Sequence, residues 1–173
     1  VLKVFAEIER KYGGIDVLLN NASVHHVGDF DKEEMETIGK VIDIDVKGPM
    51  FCTRAVLPGM IRRGEGRVIN ISSTAALNPA PGRCLYSTSK SAVLGFGNAL
   101  AREMIPLGVL VMTLCPGGIA TPLWNKESNP YPGDSELLIK PEEIAELIDF
   151  LIKQPKRTLF KQLVFFPLSE WHP

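Results

Sequence analysis

Four short apolar runs separated by helix-length segments constrain this 173-residue chain more than anything else in it. The runs fall at 15–20, 67–72, 109–114 and 163–166, each of strand length. Between them stand helical patterns. Asp31 followed by Glu34 resembles a capping box and predicts a long helix to about Arg63, which Pro49 and Pro58 bend or divide. A second helix is expected over 85–105, closed near Pro106 and Gly108. A third starts at Pro141, with Glu142 and Glu143 in the first turn where the helix dipole favours anions, and runs to about Lys153. Residues 1–12 read as the end of another helix, stopped by Gly13-Gly14. Strands alternating with helices predict a parallel α/β sheet in a single domain. Only 117–140 lacks periodicity. It is rich in Pro, Gly, Asn and Ser, and a loop this long is expected to be a lid or binding loop.

Composition narrows the function. A net charge of −1 gives no electrostatic case for nucleic acid or an anionic membrane, and no apolar run approaches the roughly 18 residues that span a bilayer. Cys52, Cys84 and Cys115 are an odd set without metal-ligand spacing, which suits a reducing, cytoplasmic setting, with Cys84 read as a small buried thiol. His25 and His26 are adjacent but have no further ligands near them, so a solvated loop is expected there and no metal site.

Tyr86 and Lys90 carry the chemistry. Four positions apart on a helix, they share one face. A neighbouring ammonium favours phenolate over phenol and so is expected to lower the Tyr86 pKa, the condition for a general acid/base near neutrality. Ser73 ends the second apolar run 13 residues upstream, where a hydroxyl can hydrogen-bond the same reacting oxygen.

With these residues in view, the chain resembles the short-chain dehydrogenase/reductase family. Asn20-Asn21-Ala22-Ser23 matches the family's Asn-Asn-Ala-Gly turn, and Asn70-Ile71-Ser72-Ser73 its serine strand. Tyr86 and Lys90 match its catalytic pair, and 116–122 its Pro-Gly turn with the Thr that follows. The resemblance implies a Rossmann-like, doubly wound parallel sheet and an NAD(P)-dependent enzyme that interconverts a carbonyl and an alcohol. Tyr86 would move the proton, Ser73 polarise the carbonyl, and Lys90 hold the nicotinamide ribose. Asn20, Ala22 and Ser23 would line the ribose and pyrophosphate side, with Ile119 and Thr121 at the carboxamide. The cofactor would be NAD or NADP.

The chain also departs from the family. In the pattern Ile44-Asp45-Val46-Lys47-Gly48, Asp45 stands where the family has an Asn that holds a water. A carboxylate there pairs with Lys90 and leaves the Tyr86 pKa higher. Cys115 replaces the usual Asn before Pro-Gly, and the tail 165–173 replaces a Gly-rich turn. The family's opening strand and Gly-rich phosphate turn have no counterpart in the sequence. The chain therefore reads as the C-terminal portion of such an enzyme, short of three strands and two helices, roughly 65 residues. Leu123, Trp124 and Tyr131 in the long loop are candidates to cover a moderately hydrophobic substrate. Ser89, Ser91, Ala92, Gly95 and Gly97 make the Tyr86 helix small-sided. That permits close approach either to its own sheet or, as the resemblance implies, across a four-helix interface in a homodimer or homotetramer. A non-catalytic remnant that acts by association with other subunits is the alternative reading.

Overall fold

In the computed structural model, which describes residues 1–124, 130–131 and 133–170, four parallel strands lie side by side in chain order. They are β1 (Val17–Asn20), β2 (Gly66–Ile71), β3 (Val109–Pro116) and β4 (Gln162–Phe165). The helices are α1 (Leu2–Tyr12), α2 (Met35–Val41), α3 (Gly48–Arg63), α4 (Cys84–Met104) and α5 (Pro141–Lys153). Each predicted strand and the helices of residues 1–12, 84–104 and 141–153 form within a residue or two of expectation.

Alternation along the strands divides the interior. Val109 and Val111 of β3 face one side with Val68, beneath Val56 and Met60 of α3 and Leu100, Ala101 and Met104 of α4. Leu110, Met112 and Leu114 face the other side with Ile69, beneath Leu151 of α5. All eight residues of β3 are buried, as expected of a central strand covered on both faces. The sheet is therefore doubly wound. Because α3 and α4 lie over one face and α5 over the other while the strands advance in one direction, the β3-to-β4 crossover has the opposite hand to the two before it. β1 pairs only with β2 among the described strands, and Leu19 on it is exposed.

The expected long helix over 31–63 is broken differently. Asp31 belongs to a 3₁₀ turn (Phe30–Lys32), and α2 begins only at Met35, with no side-chain cap. Glu33 turns aside to His26 at 2.6 Å. Next comes a π-helical turn (Ile42–Lys47), in which Gly48 N–H reaches back to Asp43 O. Pro49 explains its place: having no N–H, it offers nothing to the Asp45 carbonyl four residues back. Pro58 lies inside α3 without interrupting it.

One polar row crosses the sheet at its C-terminal edge. Asn20 pairs in register with Asn70, and Asn70 with Thr113. The Asn20 amide donates to Asn70 Oδ1 at 2.8 Å and to Thr53 Oγ1 at 3.0 Å. Gly97 of α4 passes directly over the row. A Cβ there would overlap Thr113 Oγ1 and stand 3.1 Å from Asn70 Nδ2. Three of the small residues of α4 are thus used within this chain, Gly97 over the row, Ser89 buried and Ser91 through Oγ donating to Ala76 O at 3.2 Å, while Gly95 faces open space.

Candidate active site

The C-terminal ends of all four strands open into one cleft of about 840 Å³. This is where parallel sheets bind ligands, because every strand end there delivers a loop. β1 supplies Asn21, Ala22, Ser23 and His25, β2 supplies Ser72 and Ser73, and β3 supplies Pro116 to Ile119 and Thr121. The turn after β4 adds Ser169 and Glu170, and α4 contributes Tyr86 and Lys90 from its first two turns, with Arg83 at its N-cap.

The sequence-predicted residues converge here with two exceptions, Asn20 and Asp45. Tyr86, Lys90, Ser73, Ala22, Ser23, Ile119 and Thr121 all line the cleft. Asn20 does not: its amide is spent on Asn70 and Thr53 inside the fold, and its neighbour Asn21 takes the cleft position. Asp45 sits just behind the wall, 1% exposed.

Ser73 follows β2 at the head of a 3₁₀ turn, where its Oγ accepts from Ala75 N at 3.1 Å. Its neighbour Ser72 faces away and donates to Lys90 O at 2.8 Å, fixing β2 to α4. The Ser73 hydroxyl therefore meets Tyr86, and the contact favours the phenolate. The balance at Tyr86 nevertheless goes the other way. Burial pushes the phenol above its ordinary value and the Asp45 carboxylate adds to the rise, while Ser73 and Arg83 draw it back. The expected lowering by Lys90 is overturned because burial, with the Asp45 charge, outweighs Ser73 and Arg83; the Lys90 ammonium faces the Tyr86 ring, 5.6 Å from its centroid.

Lys90 is 3% exposed. Its Nζ donates to Ile71 O at 3.3 Å and stands 3.8 Å from Asp45 Oδ2. Burial lowers its pKa and Asp45 partly restores it. The π-helical turn delivers the Asp45 side chain to a set of donors. It accepts from Ser23 Oγ at 2.7 Å, Val24 N at 2.8 Å and Ser89 Oγ at 3.1 Å. One carboxylate thus ties the β1 loop to α4 and faces the Lys90 ammonium.

Three residues of the cleft went unassigned in the sequence reading. His25, expected in solvent, packs on Tyr86 with ring centroids 4.4 Å apart and on Trp124 at 5.4 Å. Its pKa is lowered to about 4 by burial, then by Arg83, Lys90 and His26. Arg83 donates from Nη1 to His25 Nε2 at 3.1 Å and lies over the Trp124 ring at 5.2 Å. Glu170 accepts from Tyr131 Oη at 2.9 Å and from Gly118 N at 3.1 Å. Arg83 was the readable one, a cation only three residues before Tyr86 in the sequence. Leu123, Trp124 and Tyr131 of the long loop all reach the cleft. Positions 125–129 and 132 of that loop, and Trp171, His172 and Pro173 of the tail, lie outside the described residues. Of the cysteines, Cys115 is buried as a small thiol should be, but Cys84 is exposed, contrary to expectation.

The comparisons with known proteins agree with this fold. The short chain dehydrogenase family model matches residues 1–132. The human protein "Dehydrogenase/reductase SDR family member 4" is 36% identical over 161 residues, covering 88% of this chain and 58% of that protein. "Oxidoreductase UcpA" of Salmonella typhimurium is 37% identical over 161 residues, covering 84% of this chain and 61% of its own length. The chain thus spans about three fifths of the curated relatives it matches. Among solved structures, acetoin dehydrogenase YohF from Salmonella typhimurium superposes with a TM-score of 0.84 at 28% identity, covering 99% of this chain and 72% of that one. A metagenomic short-chain oxidoreductase in complex with NADP gives 0.81 at 26% identity, covering 96% and 67%. The chain belongs to the short-chain dehydrogenase/reductase family.

Proposed function

We propose that this chain carries the reaction centre of an NAD(P)-dependent oxidoreductase that interconverts a carbonyl and an alcohol, with Tyr86 as the general acid/base. The observation that carries the reading is the convergence of the Tyr86 phenol, the Ser73 hydroxyl and the buried Lys90 ammonium in one cleft at the strand ends. The match to the family and the NADP carried by one structural neighbour support it.

The residues present suit a nicotinamide dinucleotide. Lys90 Nζ is almost sealed from water yet has one hydrogen bond, to Ile71 O, so donors remain for ribose hydroxyls. Ala22 and Ser23 would meet the ribose and pyrophosphate, and Ile119 and Thr121 the carboxamide. Asn20 would support that wall from beneath. When bound, the cofactor supplies or accepts the hydride.

In reduction, Tyr86 Oη gives its proton to the carbonyl oxygen; in oxidation it takes the alcohol proton. The Ser73 hydroxyl holds the same oxygen. A phenol whose pKa is raised suits proton donation, and the reverse direction is helped by the Ser73 hydrogen bond and the Arg83 charge, which hold it back from rising further. Asp45 acts on this pair by its charge, opposing the lowering of Lys90 and adding to the rise of Tyr86. Leu123, Trp124 and Tyr131 form an apolar side of the cleft, and we assign loop 117–140 to substrate cover.

A second copy of the chain is the proposed partner, in a homodimer or homotetramer. Exposed Phe51 on α3 and the open face of Gly95 on α4 support it. Among the described residues no helix is long and apolar enough to cross a membrane. A cytoplasmic setting belongs to the same proposal.

The test is reduction of a small panel of aldehydes and ketones with NADH and NADPH by the full-length protein. Tyr86→Phe is expected to lower kcat by about 10²–10⁴-fold with the fold intact by circular dichroism. Turnover unchanged in Tyr86→Phe would sink the assignment.

A further inference from the structure

The cleft holds a cation that takes no direct part in the proposed proton transfer, although its charge acts on Tyr86. Arg83 lines it from the N-cap position of α4, three residues before Tyr86. Among the described residues no carboxylate lies within ion-pairing distance of Arg83. The other charges of the site are engaged: Lys90 faces Asp45, and Glu170 holds Tyr131 and Gly118 N.

Arg83 is also held in place. Nη1 donates to His25 Nε2 at 3.1 Å, and the guanidinium lies on the Trp124 ring at 5.2 Å. Only a neutral imidazole can accept that bond, and His25 is neutral at pH 7 because burial and the neighbouring cations lower its pKa to about 4. His25 in turn packs on Tyr86 at 4.4 Å. A planar guanidinium fixed by a ring bond and a stacking face keeps most of its five N–H donors for a ligand and loses little freedom on binding. As the N-cap residue of α4, Arg83 makes no side-chain cap bond, so its side chain is not needed to start the helix.

We propose that Arg83, positioned by His25 and Trp124, binds an anionic group of the substrate, making the preferred substrates carbonyl compounds, or the matching alcohols, that carry a carboxylate close to the reacting carbon. The proposal rests on the oxidoreductase reading above and names its substrate class. A carboxylate matches the guanidinium fork with two parallel hydrogen bonds, and a neutral analogue leaves that fork unanswered.

The experiment compares phenylglyoxylate and 3-benzoylpropanoate, each beside its primary amide, on the full-length protein with NADH and NADPH. Binding of the same four probes is followed by calorimetry. The better acid is expected to exceed its amide in kcat/KM by about 10- to 100-fold. Arg83→Met should abolish that preference, the acid losing at least about 10-fold more kcat/KM than its amide, and Arg83→Lys should restore part of it. Acids and amides used equally, or Arg83→Met depressing both alike, would overturn the proposal. So would weaker binding of NAD(P)H in Arg83→Met with the acid preference kept, since the anion served would then be the cofactor's. If no probe turns over but calorimetry shows an acid bound in wild type and lost in Arg83→Met, the anion site stands and the hydride-transfer reading falls. If no acid binds at all, the anion site falls.

Discussion

The Asp45 carboxylate and the Lys90 ammonium face each other at 3.8 Å, both almost completely removed from water. The separation exceeds a hydrogen bond, and the carboxylate spends its lone pairs on Ser23, Val24 N and Ser89 instead. Asp45 therefore acts on Lys90 and Tyr86 through its charge while its hydrogen bonds hold the cleft wall. It raises both pKa values, against the effect of burial on Lys90 and with it on Tyr86.

Asp45→Asn keeps the shape and removes the charge, and its effect on the pH profile has a definite sign. Without the carboxylate, Tyr86 loses a cause of its elevation, so the phenolate forms at lower pH. Alcohol oxidation, which needs the phenolate, should show its rising kcat/KM limb displaced toward lower pH. A profile superimposable on wild type would mean that Asp45 has no electrostatic hold on Tyr86. Asp45→Ala removes the hydrogen bonds too and leaves the ammonium unpaired, at a cost to stability of about 3 kcal/mol, seen in urea denaturation.

His25 gives the fold an acid-sensitive point. Its folded pKa is about 4 against 6.5 in the unfolded chain. Between those values the unfolded state binds more protons, so this residue takes stability away as pH falls from 6.5 toward 4. The expected observation is a smaller loss of urea midpoint between pH 7 and pH 5 in His25→Gln than in wild type. Equal losses in the two proteins would show that the imidazole titrates normally.

Most of the fold was legible because its signals are local. Strand runs bounded by Gly and Pro, and a helix opened by Pro141 with two glutamates, do not depend on distant residues for recognition. Ser73, Tyr86 and Lys90 were legible for the same reason, as spacing on a strand end and a helix face. What was missed depends on tertiary contact. The π-helical turn that delivers Asp45 shows in the sequence only as Pro49, which reads equally as a bend. His25 looks like a loop residue until Tyr86, Arg83 and Trp124 surround it. The direction of the Tyr86 shift was misjudged because helical spacing reveals the Lys90 charge but not the burial that outweighs it. Glu170 reaches the cleft only because β4 runs parallel to β3 and returns the chain to the same edge.

Gly97→Ala tests how closely α4 lies on the polar row of the sheet. The added methyl would overlap Thr113 Oγ1, held within the central strand, and crowd the Asn70 amide. Neither can withdraw without disturbing the Asn20–Asn70–Thr113 row. The expected cost is about 1–3 kcal/mol in urea denaturation, whereas Gly95→Ala, at a helix-interior position with open space, should gain about 0.5–1 kcal/mol. Equal effects at the two sites would place α4 farther from the sheet than described.

Glu170 and Tyr131 provide a spectroscopic test of the tail's position. The Tyr131 phenol is raised by burial first, and then by its hydrogen bond to Glu170 and that carboxylate's charge. A carboxylate that accepts the phenol's proton in a hydrogen bond resists the formation of phenolate beside it. Glu170→Gln removes the charge and keeps an acceptor, so Tyr131 should ionise at lower pH than in wild type. Difference absorbance of tyrosinate, with Tyr131→Phe identifying the phenol among the three tyrosines, would follow it. The same substitution weakens the hold on Gly118 N, on the turn proposed to meet the carboxamide. NADPH binding should therefore change in Glu170→Gln together with the Tyr131 titration. A Tyr131 titration that stays where it is in wild type would mean that the segment after β4 does not rest on the long loop, and that the cleft is closed by other residues.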